Sequence, residues 1–451
     1  SALEVICGLD APQGKRLSQY KKNLSTDKDP KHFDDRMEKL LKRVSVDGGK
    51  LVEEVKQYCD SADWNQSKYK SEMIRTQVER FTYEDVPNKA RLKTFQTAKS
   101  MLLTEVKDWN LRTLQYDRNE DIVDSLPRLD THAGWSYIIT GKRHKGEYVE
   151  NLLLDYLEEE RKARLHGSFN KPILIGIRTQ SGTPYDNETG ELVCDMIEKV
   201  EDLKKSRLVS MEDIFYVLAE NKWAKPLQNK IGRVGWYSGG KNDGSINSDI
   251  QMNRAMKRYW ISLDYSKYDQ SIPAWLIREA FDIVRAAFNP EFHDEELFKI
   301  IREDFINKVF IWADDIFESH KGVPSGSAFT QIIDSIVNRL MIDTYFASKG
   351  IEPSQYVMAI MGDDNLVFCT TKLDKADIES YLSYMFGITM NAAKADDGER
   401  EDDPKYLSRI WRRNGVYRNP KVLIAKLLYP ERFREYDRIG FLPTMVLSSF
   451  A

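Results

Sequence analysis

The chain has 451 residues, of which 41% are hydrophobic, 31% charged and 11% aromatic. This composition fits a globular protein with a core large enough for two or three subdomains, and it excludes collagen-like, low-complexity and disordered chains. A formal charge of −4 means that any nucleic-acid partner must be held by local basic patches in an acidic body. Cys7, Cys59, Cys194 and Cys369 are scattered and form no CxxC pair, which points to a reducing compartment and away from a structural zinc site. No run of eighteen apolar residues occurs, so no membrane span is expected, nor is a signal peptide.

From Lys15 to about Leu165 the text is strongly charged. Helical periodicity in "RMEKLLKRV" and "YVENLLLDYLEEERKARL" predicts solvated helices. "KPILIGIRTQ" (Lys171 to Gln180) predicts a strand, and "SGTPYDNETG" after it a loop. The glycine-rich "NKIGRVGWYSGGKNDG" (Asn229 to Gly244) predicts a loop or hairpin. "YWISLDYSKYDQSI" reads as a strand ending in polar residues, and "PAWLIREAFDIVRAAF" as an amphipathic helix. A second helix begins near Thr330, where Ile332, Ile333, Ile336, Val337, Leu340 and Met341 recur at three- and four-residue steps. The apolar runs "YVMAIM" and "LVFC" then flank "GDDN", a strong hairpin signal. The middle of the chain is therefore mixed α and β.

Asp363 and Asp364 put two like charges at one tight turn, an arrangement that makes sense if a cation neutralises them. Asp264 ends the strand "YWISL", and Asp269 follows near the start of a helix. Three carboxylates converging on one sheet edge suit a hard divalent cation such as Mg²⁺ or Mn²⁺. Two such ions would point to phosphoryl or nucleotidyl transfer. Between these segments, "KGVPSGSAFTQIIDSIVNRL" sets Ser325, Gly326 and Ser327 before a helix that carries Asn338 among apolar neighbours. Glycines allow close approach to a ligand, and hydroxyls bind sugar or phosphate. Asn338 reads either as a satisfied core amide or, with Asp269 and Ser325, as a sensor of a ribose 2′-hydroxyl.

"DYSKYD" (Asp264 to Asp269), "PSGSAFTQIIDSIVN" (Pro324 to Asn338) and "GDDN" (Gly362 to Asn365) resemble motifs A, B and C of viral RNA-dependent RNA polymerases, in unpermuted order. The wording is most similar to double-stranded RNA viruses of the picobirnavirus and partitivirus lineage, with picobirnaviruses favoured. The resemblance covers about Lys230 to Asn419. It implies an α+β right-hand fold in closed form, helix-rich, with an antiparallel palm sheet. Residues 1–150 would be a helical region bridging fingers and thumb. Residues 151–255 would be fingers, 256–290 palm, 291–325 a fingers insertion, 326–410 palm again and 411–451 the start of a thumb. The residues following Asn419 are few for a typical thumb, so the expectation is that the chain is truncated, that a further segment is missing, or that the N-terminal region does part of that work.

Carried over by position, Asp264, Asp363 and Asp364 would hold two Mg²⁺ ions, with Mn²⁺ an alternative. Asp269 and Asn338 would read the incoming ribose, and the loop of Ser325 and Gly326 would move against it. Lys230 and Arg233 in "KIGRV" best fit the basic residues over the triphosphate, with Arg178 in "IRTQ" as second candidate. Lys394 is the candidate general acid toward pyrophosphate. "YLSRIWRRNGVYRNPK" resembles the hairpin that grips the growing strand, its Arg409, Arg412 and Arg413 interleaved with Tyr406, Trp411 and Tyr417. An exposed basic hairpin is the plainer reading of it. The implied partners are RNA template and product, ribonucleoside triphosphates and capsid protein, in the virion interior and host cytoplasm, without a membrane.

Rival readings are weaker. "GWYSGGKN" nearly spells a P-loop, but Asn242 stands where a magnesium-binding hydroxyl belongs. The six histidines form no zinc-ligand pattern. Reverse transcriptases resemble this palm but carry an aromatic-x-Asp-Asp hairpin, whereas Met361-Gly362 precedes the aspartates here. A non-catalytic RNA-binding scaffold would have no need for clustered carboxylates.

Overall fold

The computed structural model describes residues 2–24, 26–66, 68–193, 200, 203–434 and 436. Cys194 and the last part of the expected thumb segment, 435 and 437–451, lie outside them.

One sheet joins β1 (Ile173–Ser181), β2 (Lys204–Met211), β5 (Lys308–Trp312) and β6 (Asp315–Ser319) in the order β2-β1-β5-β6. The β1–β2 pairing is antiparallel and sets Arg178 opposite Arg207 and Gln180 opposite Lys205. Cross-strand partners share a face, so basic side chains line one side of this ribbon.

A second sheet joins β3 (Tyr259–Ser262), β7 (Tyr356–Met361), β8 (Asp364–Cys369) and β10 (Asp396–Glu399), all antiparallel, in the order β10-β3-β8-β7. Met358, Ile360, Val367 and Cys369 face the main core, while Trp260, Ala359, Leu366 and Phe368 pack on the other side with Trp411. Because both faces are buried, the strands read as unbroken apolar runs rather than alternating ones. The short pair β4 (Tyr265–Ser266) and β9 (Thr389–Met390) extends this region.

Helices α1 (Ala2–Ile6), α2 (Ala11–Leu24), α3 (Asp35–Val44), α4 (Lys50–Ser61), α5 (Ser71–Arg80), α6 (Lys93–Val106), α7 (Asn119–Asp124), α8 (Trp135–Thr140) and α9 (Leu152–His166) precede the sheets. The expectation of merely solvated helices needs correction, because most of them drive an apolar stripe into one of three cores. Leu17, Tyr20 and Leu24 of α2 pack with β1 and β5. Phe95, Leu102 and Val106 of α6 enter the main core. Met37, Leu41, Val52 and Val55 of α3 and α4 pack against the helix that ends the described chain. The charges that dominate the text occupy the outer faces, as amphipathicity requires.

The remaining helices are α10 (Ile214–Ile231), α11 (Asp243–Met256), α12 (Tyr268–Ser271), α13 (Ala274–Ala286), α14 (Glu295–Ile306), α15 (Thr330–Ser348), α16 (Lys375–Phe386) and α17 (Pro420–Leu428). α15 is buried along nearly its whole length and supports the second sheet from below. The glycine-rich stretch after α10 is a loop and not a hairpin. It runs beside β7, where the Ile360 amide donates to the Trp236 carbonyl at 2.7 Å and the Ser238 amide to the Ile360 carbonyl at 2.9 Å. A small sheet of β11 (Lys405–Tyr406), β12 (Arg409–Arg412) and β13 (Gly415–Tyr417) leads into α17, which Asn419 caps. Among the described residues, no helix is long and apolar enough to cross a membrane.

Candidate active site

Asp363 sits in the two-residue turn that joins β7 to β8, after Gly362 at φ +64°. A positive φ at the first central residue of a hairpin turn is where glycine is demanded. The turn is held from beneath by α15. The Gly362 amide donates to the Ser335 hydroxyl at 2.8 Å, and the Asn338 amide group donates to the carbonyls of Gly362 and Asp363, each at 3.0 Å. The Tyr265 hydroxyl donates to the Asn338 amide oxygen at 2.9 Å. Asn365 then ties the end of β3 to β8, accepting from the Leu263 amide at 2.9 Å. That bond delivers Asp264, the next residue, beside Asp363 and Asp364.

The three carboxylates keep exposed surface, yet they lie in a recess that strips away much of their water. Desolvation raises the pKa of Asp264, opposed by Lys394 and reinforced by Asp396. Desolvation also raises that of Asp363, with Asp264 adding to the shift and Arg207 opposing it. Asp364 is pushed up to about 6 by desolvation and by the charges of Asp363 and Asp264. The protein therefore concentrates negative charge here and under-compensates it. Among the described residues no three His, Cys, Asp or Glu side chains are already drawn into a metal-holding cluster. The donor chemistry of Asp264, Asp363 and Asp364, oxygen alone and anionic, suits a hard divalent cation.

Asp269 lies on α12, and its carbonyl accepts from the Val323 amide at 2.7 Å, which joins it to the segment before α15. Its carboxyl is pushed up to about 6, mainly by desolvation. The side chain that meets it is Asp334, one turn before Asn338 on α15 and buried. Two carboxyl oxygens can bond only if a proton lies between them, and burial next to Asp269 raises the pKa of Asp334 strongly. Asn338 is fully buried, and its amide is engaged with the turn and with Tyr265. The geometry therefore follows the core-amide reading of Asn338. The group in contact with Asp269 is Asp334, which the sequence reading passed over.

The cations acting on these carboxylates come from two places. Lys394 follows Asn391, whose amide donates to the Asp264 carbonyl at 3.0 Å. Lys205 and Arg207 come from β2, Lys205 acting on Asp264 and Arg207 on both Asp269 and Asp363. Of Lys230 and Arg233, the first choice from the sequence, Lys230 is in the last turn of α10 with its ammonium 5.8 Å from the centre of the Trp109 ring, and Arg233 follows the helix in the loop beyond Gly232. Arg178 stands opposite Arg207 in the ribbon, with its guanidinium 3.6 Å from Glu431. The missed signal was the alternation in "KKSRLVSM": Lys204 and Ser206 are buried, while Lys205 and Arg207 point the other way.

The loop of Ser325 and Gly326 presses on the end of β2. The Ser210 amide donates to the Ser325 hydroxyl at 2.9 Å, and a Cβ on Gly326 would lie 2.0 Å from the Ser210 carbonyl oxygen. Buried Glu220 takes the Ser327 hydroxyl and, at 3.0 Å, the Ala328 amide. In the hairpin, Arg409 pairs with Asp243, Arg412 lies 3.9 Å from the centre of the Tyr417 ring, and Arg413 meets Glu401 at 2.8 Å.

Comparison with known proteins accords with this geometry. The family model for viral RNA-dependent RNA polymerases matches residues 19–432. The chain is 30% identical over 201 residues to the RNA-directed RNA polymerase of Cryptosporidium parvum virus 1, covering 42% of this chain and 37% of that one. It is 33% identical over 123 residues to the corresponding enzyme of Atkinsonella hypoxylon virus, covering 25% and 18%. The matched part is thus well under two thirds of these relatives' length. The fold is similar to the polymerase of a human picobirnavirus, as its insertion-loop deletion mutant, with a TM-score of 0.66 at 15% identity over 96% of this chain and 86% of that one. The architecture is accordingly the α+β right hand, and enzymes of this family generally use divalent metal ions. The chain belongs to the viral RNA-dependent RNA polymerases.

Proposed function

We propose that this chain catalyses template-directed RNA synthesis for a double-stranded RNA virus, joining ribonucleotides to a growing RNA strand. The observation that carries the reading is the convergence of Asp264, Asp363 and Asp364 from two palm segments, under the basic face of β2. In the reaction the RNA 3′-oxygen bonds to the α-phosphorus of a nucleoside triphosphate, and the bridging oxygen leaves with pyrophosphate. Two Mg²⁺ ions, or Mn²⁺, held by Asp264, Asp363 and Asp364 would activate the attacking hydroxyl and neutralise the leaving group.

The chain's own residues do the rest by positioning and electrostatics. Arg207 and Lys205 draw the triphosphate toward the carboxylates. Lys394 stands beside Asp264, where it supplies positive charge or a proton to pyrophosphate. Asp269 faces the incoming ribose. Ser325 and Gly326 couple the loop ahead of α15 to β2, so that nucleotide and template contacts move together. The natural partners on this reading are RNA, ribonucleoside triphosphates and a capsid protein, in a virion interior and the host cytoplasm.

Primed synthesis on templates that differ only in the base opposite the first added position tests the reading. The added ribonucleotide should follow the template base, and it should be abolished by chelating divalent ions. Addition independent of the template base would leave a terminal transferase in its place.

A further inference from the structure

Most of α10 is buried, and its Leu218, Ala219, Trp223 and Ala224 belong to the main core. Glu220 stands among them with no exposed surface. Stripping a carboxyl of water is costly, and an apolar side chain would fill the same place without that cost. What the carboxyl adds lies in its contacts. One oxygen accepts from the Ala328 amide at 3.0 Å, and the other meets the Ser327 hydroxyl. Gln228, two turns further along α10, donates its side-chain amide to the Ala328 carbonyl at 3.3 Å. α10 thus holds both backbone groups of a residue that leads into α15.

The segment so held is closed on itself. The Ser327 hydroxyl accepts from the Phe329 amide at 3.0 Å, and the Thr330 hydroxyl donates back to the Pro324 carbonyl at 2.7 Å. Its other end rests on β2, through the Ser325 hydroxyl and the close approach of Gly326 to the Ser210 carbonyl. A loop closed in this way moves as a unit, so a hold at one end sets the position of the other. β2 carries Lys205 and Arg207. The turn of Gly362 and Asp363 is tied instead to Ser335 and Asn338, deeper in α15.

Three titratable groups face Glu220. They are Glu212 at the end of β2, which also packs beneath Gly326, Tyr216 one turn earlier on α10, and Lys145 from the segment before α9. Burial and the charge of Glu212 raise the Glu220 pKa well above the usual carboxylate range. A protonated carboxyl offers an acceptor oxygen and a donor, and a glutamine amide offers both in the same shape. We propose that Glu220 is a positioning residue for nucleotide binding. Through Ser327 and Ala328 it holds the loop of Ser325 and Gly326 against β2, and so keeps Lys205 and Arg207 in place for the incoming triphosphate. The inference rests on the polymerase reading for the identity of the ligand, but not for the hold on the loop.

The full chain and its variants Glu220→Ala, Glu220→Gln and Ser327→Ala test it. Amide hydrogen exchange of peptides across residues 321–329 reads the hold without any need for activity. Primed ribonucleotide incorporation reads KM and kcat separately. In Glu220→Ala, exchange across 321–329 should rise about tenfold while that of β7 and β8 stays as in the wild type. The nucleotide KM should also rise about tenfold, with kcat changed less than about threefold. Glu220→Gln should return both readouts to within about threefold of the wild type. Should Glu220→Ala fail to fold, Ser327→Ala cuts the same contact from the loop side and should show the same split, with KM raised about threefold. Faster exchange across α10 and the palm alike, with kcat falling as much as KM rises, is loss of packing alone and overturns the role. Unchanged exchange across 321–329 overturns it too, as does faster exchange with an unchanged KM. A wild type that makes no RNA, but whose loop loosens in Glu220→Ala and not in Glu220→Gln, leaves the hold standing and overturns the polymerase reading.

Discussion

Asn338 lies among apolar neighbours on α15, and its amide is engaged with the Gly362–Asp363 turn and the Tyr265 hydroxyl. Replacing it by Leu takes the Asn338 partner from the Gly362 carbonyl and the Tyr265 hydroxyl, at about 1–3 kcal/mol each before relaxation, while the Asp363 carbonyl keeps the Asn365 amide at 3.3 Å. Asn338→Leu should lower stability in urea by on the order of 2–4 kcal/mol and slow incorporation by about a hundredfold, because the turn carries Asp363. Unchanged kinetics in a folded variant would show that the turn stands without it. Asp334 calls for a different test. Asp334→Asn keeps a hydrogen-bond donor toward Asp269, whereas Asp334→Ala removes it. The first should keep the preference for ribo- over deoxyribonucleotides and the second should lose about tenfold of it, read from the ratio of kcat/KM values. Equal ratios in both variants would detach Asp334 from ribose recognition.

Asp364 makes a prediction about stability. Its pKa is pushed up to about 6, against about 3.9 in an unfolded chain. The native state thus holds the proton more tightly. Its contribution to stability is full below about pH 4 and is lost as the pH rises through about 6. At pH 7 in the absence of metal, Asp364→Asn removes an uncompensated charge, so its unfolding midpoint should exceed that of the wild type. The difference should close near pH 4. A lower midpoint for the variant at pH 7 would mean that the carboxylate is better compensated than the recess suggests.

Elements divide by how their function is written. The β7–β8 hairpin was legible because two apolar runs and a glycine-led turn leave few alternatives, and α15 because its apolar residues recur so regularly. The basic strand β2 was not, since its hydrophobic content is low and its meaning depends on facing a recess built by residues far along the chain. Its contribution can be measured. On the proposed reading Lys205→Ala and Arg207→Ala each remove a charge that draws in the triphosphate, so each should raise the nucleotide KM by about tenfold. Lys230→Ala, at the end of α10, should change it far less. The Ser325–Gly326 loop belongs to the same scale. Because a Cβ at Gly326 would meet the Ser210 carbonyl at 2.0 Å, Gly326→Ala must push the loop from β2. Incorporation should fall by about a hundredfold and the unfolding midpoint should fall with it, because backbone and not a flexible side chain stands in the way.

At the scale of the whole molecule, the N-terminal helices stand out. Their charged text suggested a solvated layer, but α6 lies in the main core and α3 and α4 pack on α17, so these helices and the last described one are built together. No local pattern could announce this, because a helix shows which face is apolar and not what covers it. The order of the three motifs, by contrast, already joined Asp264, Asp363 and Asp364, which the structure sets near one another where β3 ends and β8 begins. Asp269 reads from sequence together with Asn338 of α15, whereas the side chain that meets it is Asp334, one turn earlier on the same helix, a difference that only packing reveals. The most direct test of the account is ribonucleotide incorporation on a single-stranded RNA template with Mg²⁺, comparing wild type with Asp363→Ala and supplying deoxyribonucleotides in parallel. The account predicts template-dependent ribonucleotide incorporation that vanishes in the variant. Incorporation that survives Asp363→Ala unchanged would contradict it.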